Sequence, residues 1–107
     1  MFSTPILLII FRRPNTTVRV FESIRKIRPS KIYIASDAPR PRQEDEISKC
    51  AEARLITENI DWPCEVKRLY HDVNLGCGLG PRAAFDWFFS HEAEGIILED
   101  DCLPHPD

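Results

Sequence analysis

Three consecutive carboxylates, Glu99, Asp100 and Asp101, follow directly on the apolar run Ile96, Ile97, Leu98. Like charges this close repel, and a partly buried carboxylate is costly without a counter-charge. A divalent cation relieves both costs. Mg2+ and Mn2+ take oxygen ligands, typically one or two carboxylates completed by substrate phosphates. A solvated acidic turn would account for the spacing alone, but not for its place at the tip of an apolar strand. The chemistry indicated is metal-assisted binding of a phosphate-bearing molecule.

Arg12 and Arg13 follow another apolar run. A guanidinium grips phosphate oxygens in a fork, so the pair reads either as a phosphate clamp or as two surface cations at a helix entrance. Asp37 follows Ser36 at a third strand end, where it could accept from a base N–H or a ribose hydroxyl, or simply form a turn. The glycine-rich stretch 74–80, NLGCGLG, fits neither the Walker pattern nor G-x-G-x-x-G, and is expected to be a loop whose backbone can approach a ligand. His71, His91 and His105 do not cluster and are expected at the surface. No serine or cysteine has a nucleophile's context. Cys50, Cys64, Cys77 and Cys102 contain no C-x-x-C pair, so free thiols are expected rather than zinc or disulfides.

The elements that must position these residues alternate. Residues 5–11 are continuously apolar, as suits a central strand covered on both faces. Pro14 opens a helix; Thr17, Phe21, Ile24 and Ile27 form its inner face, widened by Val18 and Val20, and Pro29 ends it. Residues 31–36 form a second strand and 37–42 a proline-broken loop. Glu44, Asp45 and Glu46 suit the first turn of the next helix, where the helix dipole favours acids. Ile47, Ala51 and Leu55 are expected to face inward from it. Residues 64–70 form a third strand, nearer an edge. A glycine-rich loop at 71–80 leads to a third helix starting at Pro81, with Ala84, Trp87 and Phe88 inward, and residues 96–98 form the last strand. The sum, β-α-β-α-β-α-β, predicts an α/β, three-layer, doubly wound parallel sheet in the order 3-2-1-4. Strands 1 and 4 are then neighbours at the switch point, where open α/β sheets place their ligand crevice.

A chain of 107 residues with 43% hydrophobic residues supports one domain with a core. Its 17 acidic and 14 basic residues, net −3, argue against nucleic-acid binding. The longest apolar run is too short for a membrane span, and it lacks the flanks of a secretory signal, so a cytoplasmic location is expected.

These pieces resemble the N-terminal, nucleotide-sugar-binding half of GT-A fold glycosyltransferases, most closely the bacterial family-2-like group. The resemblance rests on PILLIIFRRP (5–14), IYIASD (32–37), DWPCEV (61–66), DVNLGC (72–77) and GIILEDD (95–101), and spans essentially the whole chain. The acidic triplet is also similar to the metal motif of the animal N-acetylglucosaminyltransferase that acts on N-glycans. The resemblance implies a Rossmann-like half that binds a nucleotide-diphosphate sugar, UDP-linked in the first instance, with Mn2+ or Mg2+. It implies Asp101 as the metal ligand, Asp100 at the ribose and Glu99 near the donor sugar. It further implies Arg13 at the diphosphate, with Phe11 beside it at the nucleotide, and Asp37 on the uracil edge. Such enzymes are commonly much longer, and their second half supplies the acceptor site and any general base. The expectation is therefore a single domain over 1–107, truncated after the acidic motif and inactive or incomplete alone. The alternatives are a non-catalytic binding or assembly fragment, self-associating through exposed sheet surface, and a metal-dependent phosphohydrolase. The latter would need an aspartate nucleophile or further metal ligands where Phe11, Arg12 and Arg13 stand.

Overall fold

The computed structural model describes residues 2–100. Its elements are β1 (Ile6–Ile10), α1 (Pro14–Ile27), β2 (Lys31–Ser36), α2 (Glu44–Ile56), β3 (Glu65–Tyr70), α3 (Gly76–His91) and β4 (Ile96–Glu99). The four strands form one all-parallel sheet in the order β3-β2-β1-β4. The fold is α/β, three-layered and Rossmann-like, as the alternation of elements predicts.

Strand β1 is central because both of its faces are apolar and both are covered. Ile6, Leu8 and Ile10 pack with Val20, Phe21 and Ile24 of α1 and with Ile32, Ile34, Ala53 and Trp62. Leu7 points the other way, into Tyr33, Ala35 and the α3 residues Ala84 and Phe88. Helices α1 and α2 thus cover one face and α3 the other. That change of face is what brings β4 beside β1, with Ile6 opposite Ile96 and Ile9 opposite Glu99. Among the described residues no helix is long and apolar enough to cross a membrane.

Two helices depart from their sequence-based expectations. In α2 the stripe of Ile47, Ala51 and Leu55 points outward, with Ile47 and Leu55 56% and 65% exposed. Glu46, Cys50 and Ala53 face inward instead. The helix turns this way because Glu46 has partners on the inner side: Arg40 donates to it from Nε at 3.1 and 2.8 Å and from its backbone N–H at 3.3 Å. A buried carboxylate so paired is tolerated, and the small Cys50 and Ala53 complete the face. In α1 the inward set is Thr17, Val20, Phe21 and Ile24, while Val18 and Ile27 are exposed.

Helix α3 begins at Gly76 rather than at Pro81, which lies inside it. The expected glycine loop is largely the helix's first turns. Its start is held from outside the helix by Asp37, whose carboxylate accepts from the backbone N–H groups of Leu75 and Gly76 at 2.9 and 3.1 Å. Gly76 enters at φ 88°, a conformation that suits glycine.

Gly95, which leads into β4, is a close approach between layers. A Cβ there would lie 2.9 Å from the Pro5 carbonyl oxygen and overlap the ring of the fully buried Phe88. Gly95→Ala is expected to cost about 2 kcal/mol, an overpacking penalty. Thermal unfolding followed by circular dichroism should show this as a Tm lowered by about 10 °C.

Candidate functional site

The carboxyl ends of the strands open onto a crevice of about 550 Å3, a size that suits a small-molecule ligand. Phe11, Arg12 and Arg13 line it from the tip of β1, Ser36 and Asp37 from β2, and Arg40 from the following loop. His71 and Asn74 line it beyond β3, Gly76, Gly80 and Pro81 from the start of α3, and Glu99 and Asp100 from β4. Of the residues predicted from sequence, Phe11, Arg13, Asp37, Glu99 and Asp100 therefore share one cavity. Asp101, the expected metal ligand, lies outside the described residues, as do Cys102 and His105.

Asp100 joins the two central strand tips. Its backbone N–H donates to the Ile9 carbonyl at 2.9 Å, and its Oδ2 accepts from the Phe11 N–H at 2.9 Å. The side chain is buried, and the bond gives its charge a fixed dipole to face. Glu99, one residue earlier, is exposed. Among the described residues no group of three or more His, Cys, Asp or Glu side chains is gathered to hold a metal ion. What the crevice offers is hard oxygen donors in small number. Among the described residues, Glu99 and Asp100 are the β4 carboxylates that could contribute oxygen donors to a divalent cation whose shell phosphate oxygens complete.

The cations are placed by Glu46, which sits beneath them. Arg12 Nη1 lies 3.6 Å from Glu46 Oε2, and its guanidinium lies over the Phe11 ring at 5.9 Å. Arg40 binds the same carboxylate through Nε, Nη2 and its backbone N–H. The Arg40 hydrogen bond holds the Glu46 carboxyl below the usual range, against the opposing effect of burial. Sequence reading missed Arg40 as a site residue. Its signal was the setting between Pro39 and Pro41, a stiffened loop directly after Asp37.

Asp37 lines the crevice, but much of its hydrogen-bonding capacity is used by backbone. Oδ1 accepts from the N–H groups of Ala38 and Leu75 at 2.8 and 2.9 Å, and Oδ2 from Gly76 at 3.1 Å. Gly80 leaves room for it: a Cβ there would stand 3.0 Å from Oδ2. The residue fastens the β2 tip to the start of α3.

His71 is not the plain surface residue its sequence context suggests. The residue borders the crevice, and its Nε2 is closed off from solvent without a hydrogen-bond partner. His91 is exposed. Cys50 and Cys64 are free, and burial pushes both thiols up, away from the reactive thiolate.

Comparison with known protein families, with curated proteins and with solved structures finds no match to this chain.

Proposed function

We propose that this chain binds a nucleotide-diphosphate sugar, UDP-linked in the first instance, in the crevice at the β1–β4 switch point, together with Mn2+ or Mg2+. The observation that carries the reading is the bond from Phe11 N–H to Asp100 Oδ2, which fixes the acidic tip of one strand against the arginine-bearing tip of the next. Opposite charges arranged this way fit a ligand that is itself a metal-bridged diphosphate. In this reading Arg12 and Arg13 take the diphosphate and Phe11 and Asp37 flank the nucleoside. Asp100 stands at the ribose and Glu99 near the donor sugar, and Asp101 is the metal ligand. A cation held there neutralises phosphate charge, which in a glycosyl transfer stabilises the leaving group. The reading is one of donor binding, and no residue is assigned as a general base.

Isothermal titration with UDP tests it. Affinity is expected to be at least about tenfold higher with Mn2+ than with a chelator, the scale of one charge-assisted contact. Equal weak heats in both conditions would overturn the reading.

A further inference from the structure

We infer that Arg12 and Arg40 together form a seat for one phosphate group, and that this seat holds its anion without a metal ion. For its ligand the inference rests on the binding mode proposed above, and it adds Arg40, which that mode does not use. Both residues line the crevice, Arg12 from the tip of β1 and Arg40 from the loop after β2. Both side chains are about half exposed, so a ligand can reach them. Beneath them lies the buried Glu46, and both guanidiniums are drawn to its Oε2, Arg12 through Nη1 at 3.6 Å and Arg40 through Nε at 2.8 Å. Glu46 thus sets two cations side by side. Arg40 is fastened a second time, by its backbone N–H to Glu46 Oε1 at 3.3 Å, and Arg12 lies over the Phe11 ring at 5.9 Å.

One carboxylate balances one of the two cations and leaves a positive charge over. Two guanidiniums this close also repel, and an anion bound between them relieves the repulsion. A guanidinium carries five N–H donors. Arg40 meets Glu46 with Nε and Nη2, and Arg12 meets it with Nη1, so each has further donors for the oxygens of an anion. Their planar forks match phosphate better than a point charge would. The acids of the crevice stand elsewhere. Glu99 and Asp100 come from β4, which flanks β1 on the side away from β2. Asp37 is engaged by the backbone N–H groups of Ala38, Leu75 and Gly76. A diphosphate therefore meets guanidiniums with one phosphate and leaves the other to the β4 end.

The test is isothermal titration of inorganic pyrophosphate with a chelator present and at low ionic strength, where neither a nucleoside nor a metal contributes. The wild-type chain is expected to bind. Arg12→Gln should bind about tenfold more weakly, the scale of one charge-assisted contact. Arg40 is best removed in the Glu46→Gln background, which leaves no buried carboxylate without its partner. Arg40→Ala with Glu46→Gln should bind about tenfold more weakly than Glu46→Gln alone. Arg19→Gln removes an equal charge from the exposed side of α1 and should match the wild type. No pyrophosphate binding by the wild type, unchanged affinity in the Arg12 and Arg40 variants, or an equal loss in Arg19→Gln would overturn the seat. Titration of UDP with Mn2+ into the same wild-type chain keeps the two readings apart. Metal-dependent UDP binding without pyrophosphate binding in chelator overturns the seat and leaves the binding mode standing. Pyrophosphate binding in chelator with no effect of Mn2+ on UDP overturns the metal-bridged mode and leaves the two arginines as a phosphate seat.

Discussion

Asp100→Ala is expected to lower affinity for UDP in the presence of Mn2+ by about 100-fold, the upper range for groups that support a metal site. The same change should cost about 1–3 kcal/mol of stability. The asymmetry follows from where the side chain points. Its Oδ2 accepts from the Phe11 backbone N–H at the edge of an open crevice. Once it is removed, water can reach that N–H, which limits the loss to folding. Ligand binding loses both the negative oxygen and the fixed distance between the two strand tips. Asp100→Asn separates the two roles. The amide oxygen can still accept from Phe11, so thermal stability should return to near the wild-type value. The negative charge next to Asp101, the proposed metal ligand, does not return, so metal-dependent binding should stay weak. Titration calorimetry and thermal unfolding of the three proteins check both halves.

Arg40→Ala is expected to destabilise the fold by about 3 kcal/mol at neutral pH, the lower end for breaking a buried pair. Glu46 is fully buried, while the side chains of Arg40 and Arg12 are 49% and 41% exposed. Removing the arginine side chain leaves the buried carboxylate with the residue-40 backbone N–H at 3.3 Å and Arg12 at 3.6 Å, and without its closest cation. Glu46→Gln instead leaves two cations that water solvates, and should cost about 1 kcal/mol.

The pH dependence carries the sign. In the wild type the Glu46 carboxyl lies below its ordinary value, chiefly through the Arg40 hydrogen bond. Such a group contributes stability that is complete above the unfolded value and is lost as pH falls through the folded one. In Arg40→Ala, burial becomes the larger influence and shifts the carboxyl upward. The deficit of the variant should therefore be greatest at neutral pH and shrink in mildly acidic buffer, where Glu46 takes up a proton. Urea denaturation in the two buffers measures this. A deficit that does not narrow in acid would mean that Glu46 is not the group left stranded.

The sheet was legible in the sequence because its signals are local. Residues 5–11 are apolar without a break, Lys31–Ser36 is bounded by prolines on either side, and the alternation of elements admits few strand orders. The crevice followed from that order, and with it the meeting of Phe11, Arg13, Asp37, Glu99 and Asp100.

What escaped sequence reading depends on contacts made in space. The stripe Ile47, Ala51, Leu55 has helical spacing, but the helix is turned by Glu46 pairing with Arg40 and Arg12, and an acid in a first turn reads as a dipole effect until its partner is seen. The early start of α3 depends on Asp37, which reaches across from β2 to cap Leu75 and Gly76. Pro81, read locally, marks a helix start, yet here it sits inside the helix. His71 looked unremarkable because burial of a single nitrogen leaves no trace in the spacing of residues.

Paramagnetic broadening of backbone amide signals tests the central claim most directly. Mn2+ would be titrated into the isotope-labelled chain with UDP present and with UDP absent. The expected result is UDP-dependent loss of the amide signals of Phe11, Arg12, Arg13, Glu99 and Asp100, with those at the opposite ends of the strands, such as Ser30 and Gly95, preserved. UDP-independent broadening, or broadening centred away from the tips of β1 and β4, would contradict a metal-bridged diphosphate in this crevice.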